Sequence, residues 1–498
     1  MSKTDIHNTK HSFLPLKGAF YLVLLALMLF FAIYTATKFP YTYITMEGDD
    51  FWVLTKDFWH LKLGMLPAFT NWLADFLIQF YSSPWIAATI QALILGAIGL
   101  ITHKILKAYP RGGLVGAMLR WLALLPPILL GYYCTFNLSF QLQWLFFFAL
   151  LLIYKLIPNY KGKLLWSIIS MPLGFLLMRT PLLFLLIVAP LCFTRRGEFK
   201  KAFLWGGLVG AFVLLALTPL AYSQQVAFIP FEERYMALGC QAEPITSKAS
   251  RDGEYLKKLV CLANDERWED LLYKEHVRRD AQQGWGVSLQ YALLAESALG
   301  TLPENLLDYP IRDESRFLFQ HQEDKVALQF NRLFYLNLGV YDEAFHQAME
   351  YGLMQTNNNC FSSLRQMVDY SIEEGDWEIA DKYLQILSKS SCHKGFVKER
   401  RAKMEEAKKT FKKDIQLRAD NFIGGYPLPI EMLRLARYYQ DEAQRKKMLD
   451  YAICSYMLRG DVNSFMVATQ AFDIYKDKPL PKAYKAFLEA ISVSNQQP

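Results

Sequence analysis

Tyr43-Ile44-Thr45-Met46-Glu47-Gly48-Asp49-Asp50-Phe51-Trp52 puts three carboxylates within four residues, just past the end of a long apolar run. The runs on either side, 18–37 and 85–102, are close to the ~18–20 residues that a helix needs to cross the hydrocarbon of a bilayer. An acidic, aromatic loop pinned between two spans is either the catalytic shelf of a membrane enzyme or a folded cap on a membrane anchor. The reading of the whole chain turns on that choice.

The 498 residues divide by composition near Tyr222, strongly apolar before it and regularly charged after it. Seven apolar stretches are drawn in the first part: 18–37, 85–102, 114–133, 138–154, 164–178, 180–193 and 202–222. The fifth and sixth are short and parted by Arg179, so they make two thin spans or one re-entrant hairpin. The first is long and has no small-residue cleavage site, which makes it an anchor and not a removable signal. Lys3, Lys10 and Lys17, then Lys104, Lys107 and Arg111, then Lys155, Lys161 and Lys163, then Arg195, Arg196, Lys200 and Lys201 all fall on one side. Positive loops stay in the cytoplasm, so the N-terminus is inside and the acidic loop and the C-terminal half are outside. That describes a multi-pass protein of the cytoplasmic (inner) membrane, its C-terminal domain periplasmic if the cell is Gram-negative. Membrane topology accounts for the net charge of +7, and no nucleic acid is called for. Five cysteines lie in the outer half, where a pair such as Cys240–Cys261 could be oxidised or all could stay as buried thiols.

The outer loop, 38–84, carries two helical patterns. Phe51, Leu54, Phe58 and Leu61 recur on one face, with Lys56 and His60 on another. Trp72, Leu73, Phe76, Leu77 and Phe80 form an aromatic stripe, with Asp75 and Gln79 opposite. Such helices lie in the interface plane, aromatic side down. Gly-Gly-Leu-Val-Gly-Ala opens the third and seventh runs, at 112–117 and 206–211, and reads as a close-packing face between spans.

Beyond a linker at 224–253 the chain becomes paired helices. Asn337-Leu338-Gly339-Val340-Tyr341-Asp342-Glu343-Ala344 and Glu373-Glu374-Gly375-Asp376-Trp377-Glu378-Ile379-Ala380 are turns of one chemistry, a helix ending at Gly and another starting beside an Asp. Leu458-Arg459-Gly460-Asp461 repeats it, and Asn264-Asp265-Glu266-Arg267-Trp268 is a worn copy. A helix–Gly-turn–helix unit near 34–36 residues resembles tetratricopeptide repeats over 254–490. The resemblance implies an α-solenoid whose concave face holds a protein or peptide partner. The fold class is therefore all-α: a polytopic membrane domain of about seven spans (1–223), the linker, and an outward helical-repeat domain (254–498).

The repeat half has no Gly-x-Ser-x-Gly, His-Glu-x-x-His, Walker or Cys-x-x-Cys motif, so the chemistry falls to the loop. Glu47, Asp49 and Asp50 sit at headgroup depth, where a carboxylate pair can hold a divalent cation against a pyrophosphate, or one carboxylate can deprotonate a hydroxyl. Lys56, His60, Lys62 and Arg179 are the outward cations able to take a phosphate's charge. The plainer reading makes Asp49 and Asp50 caps on a helix beginning at Phe51. The layout of 18–222 resembles the GT-C class of membrane glycosyltransferases, which place an acidic motif after the first span in a loop with interfacial helices. The resemblance implies transfer of a sugar from a polyprenyl-phosphate donor, with Asp49 or Asp50 as the catalytic acid and Glu47 behind them. Two features depart from it: the turn at 131–139 has no acid, and the turn at 179–181 is minimal. The alternative is a non-catalytic scaffold that recruits envelope proteins through its repeats. The overall plan also resembles an uncharacterised family of bacterial envelope membrane proteins.

Overall fold

The computed structural model describes residues 16–63, 67–107, 120–179, 243–284, 286–317, 324–355, 359–411, 429–437, 441–471 and 479–494, with a few single residues between them. Among the described residues every regular element is helical. The chain forms two compact units. One is 1–47 with 52–254; the other is 48–51 with 255–498. Four residues of the acidic stretch thus belong to the second unit although both of their neighbours belong to the first.

The first unit contains α1 (Leu16–Lys38), α2 (Pro40–Gly48), α3 (Lys56–Leu63), α4 (Ala68–Ile78), α5 (Pro84–Lys107), α6 (Leu125–Tyr133), α7 (Leu138–Leu156) and α8 (Tyr160–Leu177). Among the described residues three helices are long and apolar enough to cross a membrane: Gly18–Lys38, Pro84–Lys107 and Leu138–Leu156. Leu22 and Phe30 of α1 are 69% and 66% exposed. Apolar side chains so open fit a helix whose outer face meets lipid instead of water. The inner face packs on α5, and small residues set the distance. A Cβ on Gly99 would lie 2.9 Å from Leu24, and one on Gly131 would lie 3.1 Å from Phe31. Phe31, Leu95, Ile98, Leu130, Leu138 and Leu142 fill the core between these helices.

The third apolar run is present as a shorter helix, Leu122–Tyr133, and the fifth as α8. The 112–117 segment, most of the sixth and seventh runs with the 206–211 segment, and most of the linker lie outside the described residues.

The loop helices differ from the sequence pattern. No helix starts at Phe51; residues 50–55 are irregular and α3 begins at Lys56. Leu54 is 75% exposed, so the supposed 51/54/58/61 face does not exist. The α4 helix buries its small face, Ala68, Thr70 and Ala74. Its aromatic stripe is covered in part by Trp52, with ring centroids 5.4 Å from Trp72 and 5.0 Å from Phe76.

The second unit begins within α9 (Lys248–Asn264), which starts six residues before the sequence boundary at 254. It continues with α10 (Gly286–Ala298), α11 (Lys325–Asn337), α12 (Tyr341–Leu353), α13 (Phe361–Glu374), α14 (Trp377–Ser388), α15 (Lys394–Thr410), α16 (Pro429–Ala436), α17 (Glu442–Arg459), α18 (Val462–Ala471) and α19 (Lys482–Ser494). The glycine turns recur in detail. Gly339, Gly375 and Gly460 all have φ near +70°. After each, the next N–H reaches back to a helical carbonyl: Val340 to Tyr335, Asp376 to Ser371, Asp461 to Tyr456. This is the six-to-one bond that closes a helix with a left-handed residue. The worn copy has the same closure, Arg267 to Leu262, with Glu266 holding φ at +55°. A further copy, Thr301 to Glu296 across Gly300, went unread in the sequence. Arg332, 1% exposed, bonds Asn264 at 2.6 Å and Tyr370 at 2.7 Å, joining α9, α11 and α13. No disulfide forms among the described cysteines; Cys240 is outside them.

Candidate functional site: the acidic stretch

The approach to the stretch is set within the first unit. Pro40 starts α2, where its missing N–H costs nothing and its fixed φ suits a helix. The Glu254 carboxylate accepts from the Tyr41 N–H (2.8 Å), the Thr42 N–H (2.8 Å) and the Thr42 hydroxyl (2.6 Å), satisfying the open end of that helix. Tyr43, fully buried, donates to Gln91 of α5 at 2.8 Å. Glu47 stands half-buried in the last turn of α2.

From Gly48 the backbone leaves the helix and joins the second unit. Tyr351, near the end of α12, donates to Asp49 Oδ1 at 2.5 Å. Asn357, in the α12–α13 connection, donates to Asp50 Oδ1 at 2.9 Å. The Phe361 N–H, first in α13, donates to the Asp50 carbonyl at 3.0 Å. Phe51 is 7% exposed and lies 6.4 Å from the His393 ring, which stacks on Phe361 at 3.6 Å. Gly48 approaches Ser362 only as closely as ordinary contact allows. Asp50 also accepts from the Phe51 N–H at 2.8 Å. The Asp50 carbonyl therefore meets the N-terminal end of α13, where the backbone carries partial positive charge, and Cys360 Sγ caps the same end through the Ser363 N–H at 3.4 Å.

Burial dominates the electrostatics. It raises the Asp49 pKa above the ordinary carboxylate value, against the opposing pull of the Tyr351 hydrogen bond and of Lys325 and Lys257. Burial pushes the Cys360 thiol up to about 12 and lowers His393 to about 4. The thiol is thus neutral and poorly nucleophilic.

The cations read from the sequence, Lys56, His60, Lys62 and Arg179, all belong to the first unit. Within the first unit Lys62 is 1% exposed and ion-paired with Asp75, which makes it part of the α3–α4 packing. Gln79, read like Asp75 as solvent-facing, is 6% exposed. Lys56 and His60 are exposed on α3. Arg179 is half-buried, its N–H donating to Gln143 Oε1 at 3.1 Å. Among the described residues no three His, Cys, Asp or Glu are grouped to hold a metal ion. The sequence reading missed Tyr351, Asn357, Phe361 and His393. They lie some 300 residues further on, and no local pattern marks them as partners of the loop.

Phenol and amide donors on two carboxylates, a main-chain bond and aromatic packing are how a protein grips a short peptide. Residues 14–498 match a family of unknown function (DUF6057). No curated protein and no solved structure matches the chain.

Proposed function

We propose that this chain, which belongs to the DUF6057 family, is a membrane-anchored scaffold whose tetratricopeptide-like helical pairs recruit a partner protein on the outer side of the cytoplasmic membrane. The reading rests on one observation. The Asp49 and Asp50 carboxylates accept from Tyr351 and Asn357, and the Asp50 carbonyl accepts from the Phe361 N–H, all within the helical unit. A lipid-linked sugar donor would need a carboxylate open to its phosphates. The apolar helices supply the anchor, and the positive-inside rule supplies the orientation.

A second reading keeps the GT-C-like transferase, with Glu47, Asp49 and Asp50 as acids, Lys56, His60, Lys62 and Arg179 as phosphate partners, and a divalent cation as cofactor. The raised Asp49 pKa favours it, since carboxyls perturbed by burial are common among groups that exchange protons with a substrate. One experiment separates the two. A deletion strain is complemented with wild type, Asp49→Asn or Asp50→Asn, and protein level, surface glycans and in vivo photo-crosslinks from the repeat unit are measured. The scaffold reading expects all three strains to show the same glycans and the same crosslinked partner. Loss of a surface glycan at undiminished protein level overturns it in favour of the transferase. A tag after Pro498 that proves cytosolic overturns both.

A further inference from the structure

We propose that the corner formed by the end of α12, Asn357 and the start of α13 is a recognition site for Asp-Asp-aromatic peptides, and that Gly48–Phe51 is its tethered occupant. The inference rests on the scaffold reading and names the chemistry of the partner.

Each part of the tetrapeptide is read by a different group. Tyr351 reads the first carboxylate, Asn357 the second, the Phe361 N–H the carbonyl that follows it, and the Phe361–His393 stack the aromatic ring. Tyr351, Asn357, Phe361 and His393 follow one another along the chain in the order of the peptide groups they touch. A plain structural tie needs none of this. Desolvating a carboxylate is costly, and apolar residues of similar size hold a chain in place as well or better. The cost is visible in Asp49, whose burial outweighs the donors and cations around it. The first N–H of α13 is also satisfied from outside its own segment, by the Asp50 carbonyl. A helix that depends on an incoming peptide for that bond has an open position whenever the peptide leaves. Only four residues of the loop are held in this way. A tethered ligand has a high local concentration, so the site is closed to weak competitors and open to a partner that carries the same motif with further contacts.

The test uses full-length protein in detergent micelles and a fluorescent peptide copying residues 45–53. The strap is vacated by Asp49→Ala with Asp50→Ala, and, as a milder variant that keeps both acids, by Phe51→Ala. The expected result is that either vacated protein binds the peptide at least about tenfold more tightly than wild type. Changing the peptide's two Asp to Ala, or adding Tyr351→Phe with Asn357→Ala to the vacated protein, removes the gain. The inference is overturned if a vacated variant that retains a cooperative helical melt binds the native and Ala peptides equally, or binds neither. If the double variant does not fold, Phe51→Ala decides alone. Failure here leaves the glycan and crosslinking outcomes of the scaffold reading untouched, and a glycan loss in Asp49→Asn sinks that reading whatever the peptide does.

Discussion

Asp49 and His393 belong to one cluster, yet burial acts on their charges in opposite directions with respect to pH. The folded state holds the Asp49 proton more tightly than the unfolded chain does. Stability from this group is therefore greatest at low pH and falls as pH rises from 3.8 through its raised value. Asp49→Asn removes that slope, so thermal melts of wild type and variant should diverge in the variant's favour as pH rises above 4. His393 behaves conversely. Its pKa falls from 6.5 to about 4, so the unfolded chain takes up the proton first, and stability is lost as pH drops from 6.5 toward 4. At about 1.4 kcal/mol per pH unit the loss approaches about 3 kcal/mol at pH 4. His393→Gln should abolish this acid sensitivity, as read by denaturant melts at pH 7 and pH 4. At this scale the sequence singled out the acids of the loop. Their partners were invisible, because Tyr351 and Asn357 are ordinary helix and turn residues until the fold brings them near.

Helix closures explain why the helices of the C-terminal half were readable. Gly339, Gly375 and Gly460 sit at left-handed positions that disfavour any side chain, so glycine there is a local signal for a local event. The signal fails where a non-glycine residue bears the strain, as at Glu266. The same turns carry a graded prediction. A Cβ at Gly460 meets nothing within 4 Å, whereas one at Gly375 would lie 2.3 Å from Phe411. Gly460→Ala should cost about 1–2 kcal/mol of backbone strain. Gly375→Ala should cost more, because Phe411 must also give up its edge contact with Trp377. Melting temperatures of the two variants should fall in that order. The loop helices were misread for the opposite reason. Periodicity assumes that backbone hydrogen bonds stay within the segment, but the Asp50 carbonyl accepts from Phe361, and the chain cannot begin to wind until Lys56. Likewise, Asp75 was assigned to a polar face by its neighbours, and its ion pair with Lys62 reverses that assignment.

At the scale of the molecule, the three helices among the described residues that are long and apolar enough to span a bilayer predict an integral protein. The chain should sediment with membranes, resist extraction by alkaline carbonate and dissolve in detergent. Release by carbonate would show that the exposed faces of α1 and α5 meet protein and not lipid. Close packing between spans comes from Gly99 and Gly131. The sequence pointed to small-residue packing in general and placed it at 112–117 and 206–211, of which only Gly206 and Gly210 are described. It overlooked Gly96 and Gly99 because two glycines three residues apart make a weaker pattern than the Gly-Gly-Leu-Val-Gly-Ala segments.

Composition and periodicity alone established a helical chain with an apolar front, a charged helix-pair rear and an acidic stretch set between two apolar runs. Each of these depends on neighbours within one helix or one turn, the range over which hydrophobic period and backbone sterics act. Only tertiary structure decided that Gly48–Phe51 is held by α12 and α13, that Lys62 is neutralised by Asp75, and that Glu254 caps α2. Those are pairings of single polar groups across hundreds of residues, and a polar side chain has no preferred partner until burial removes water as the alternative.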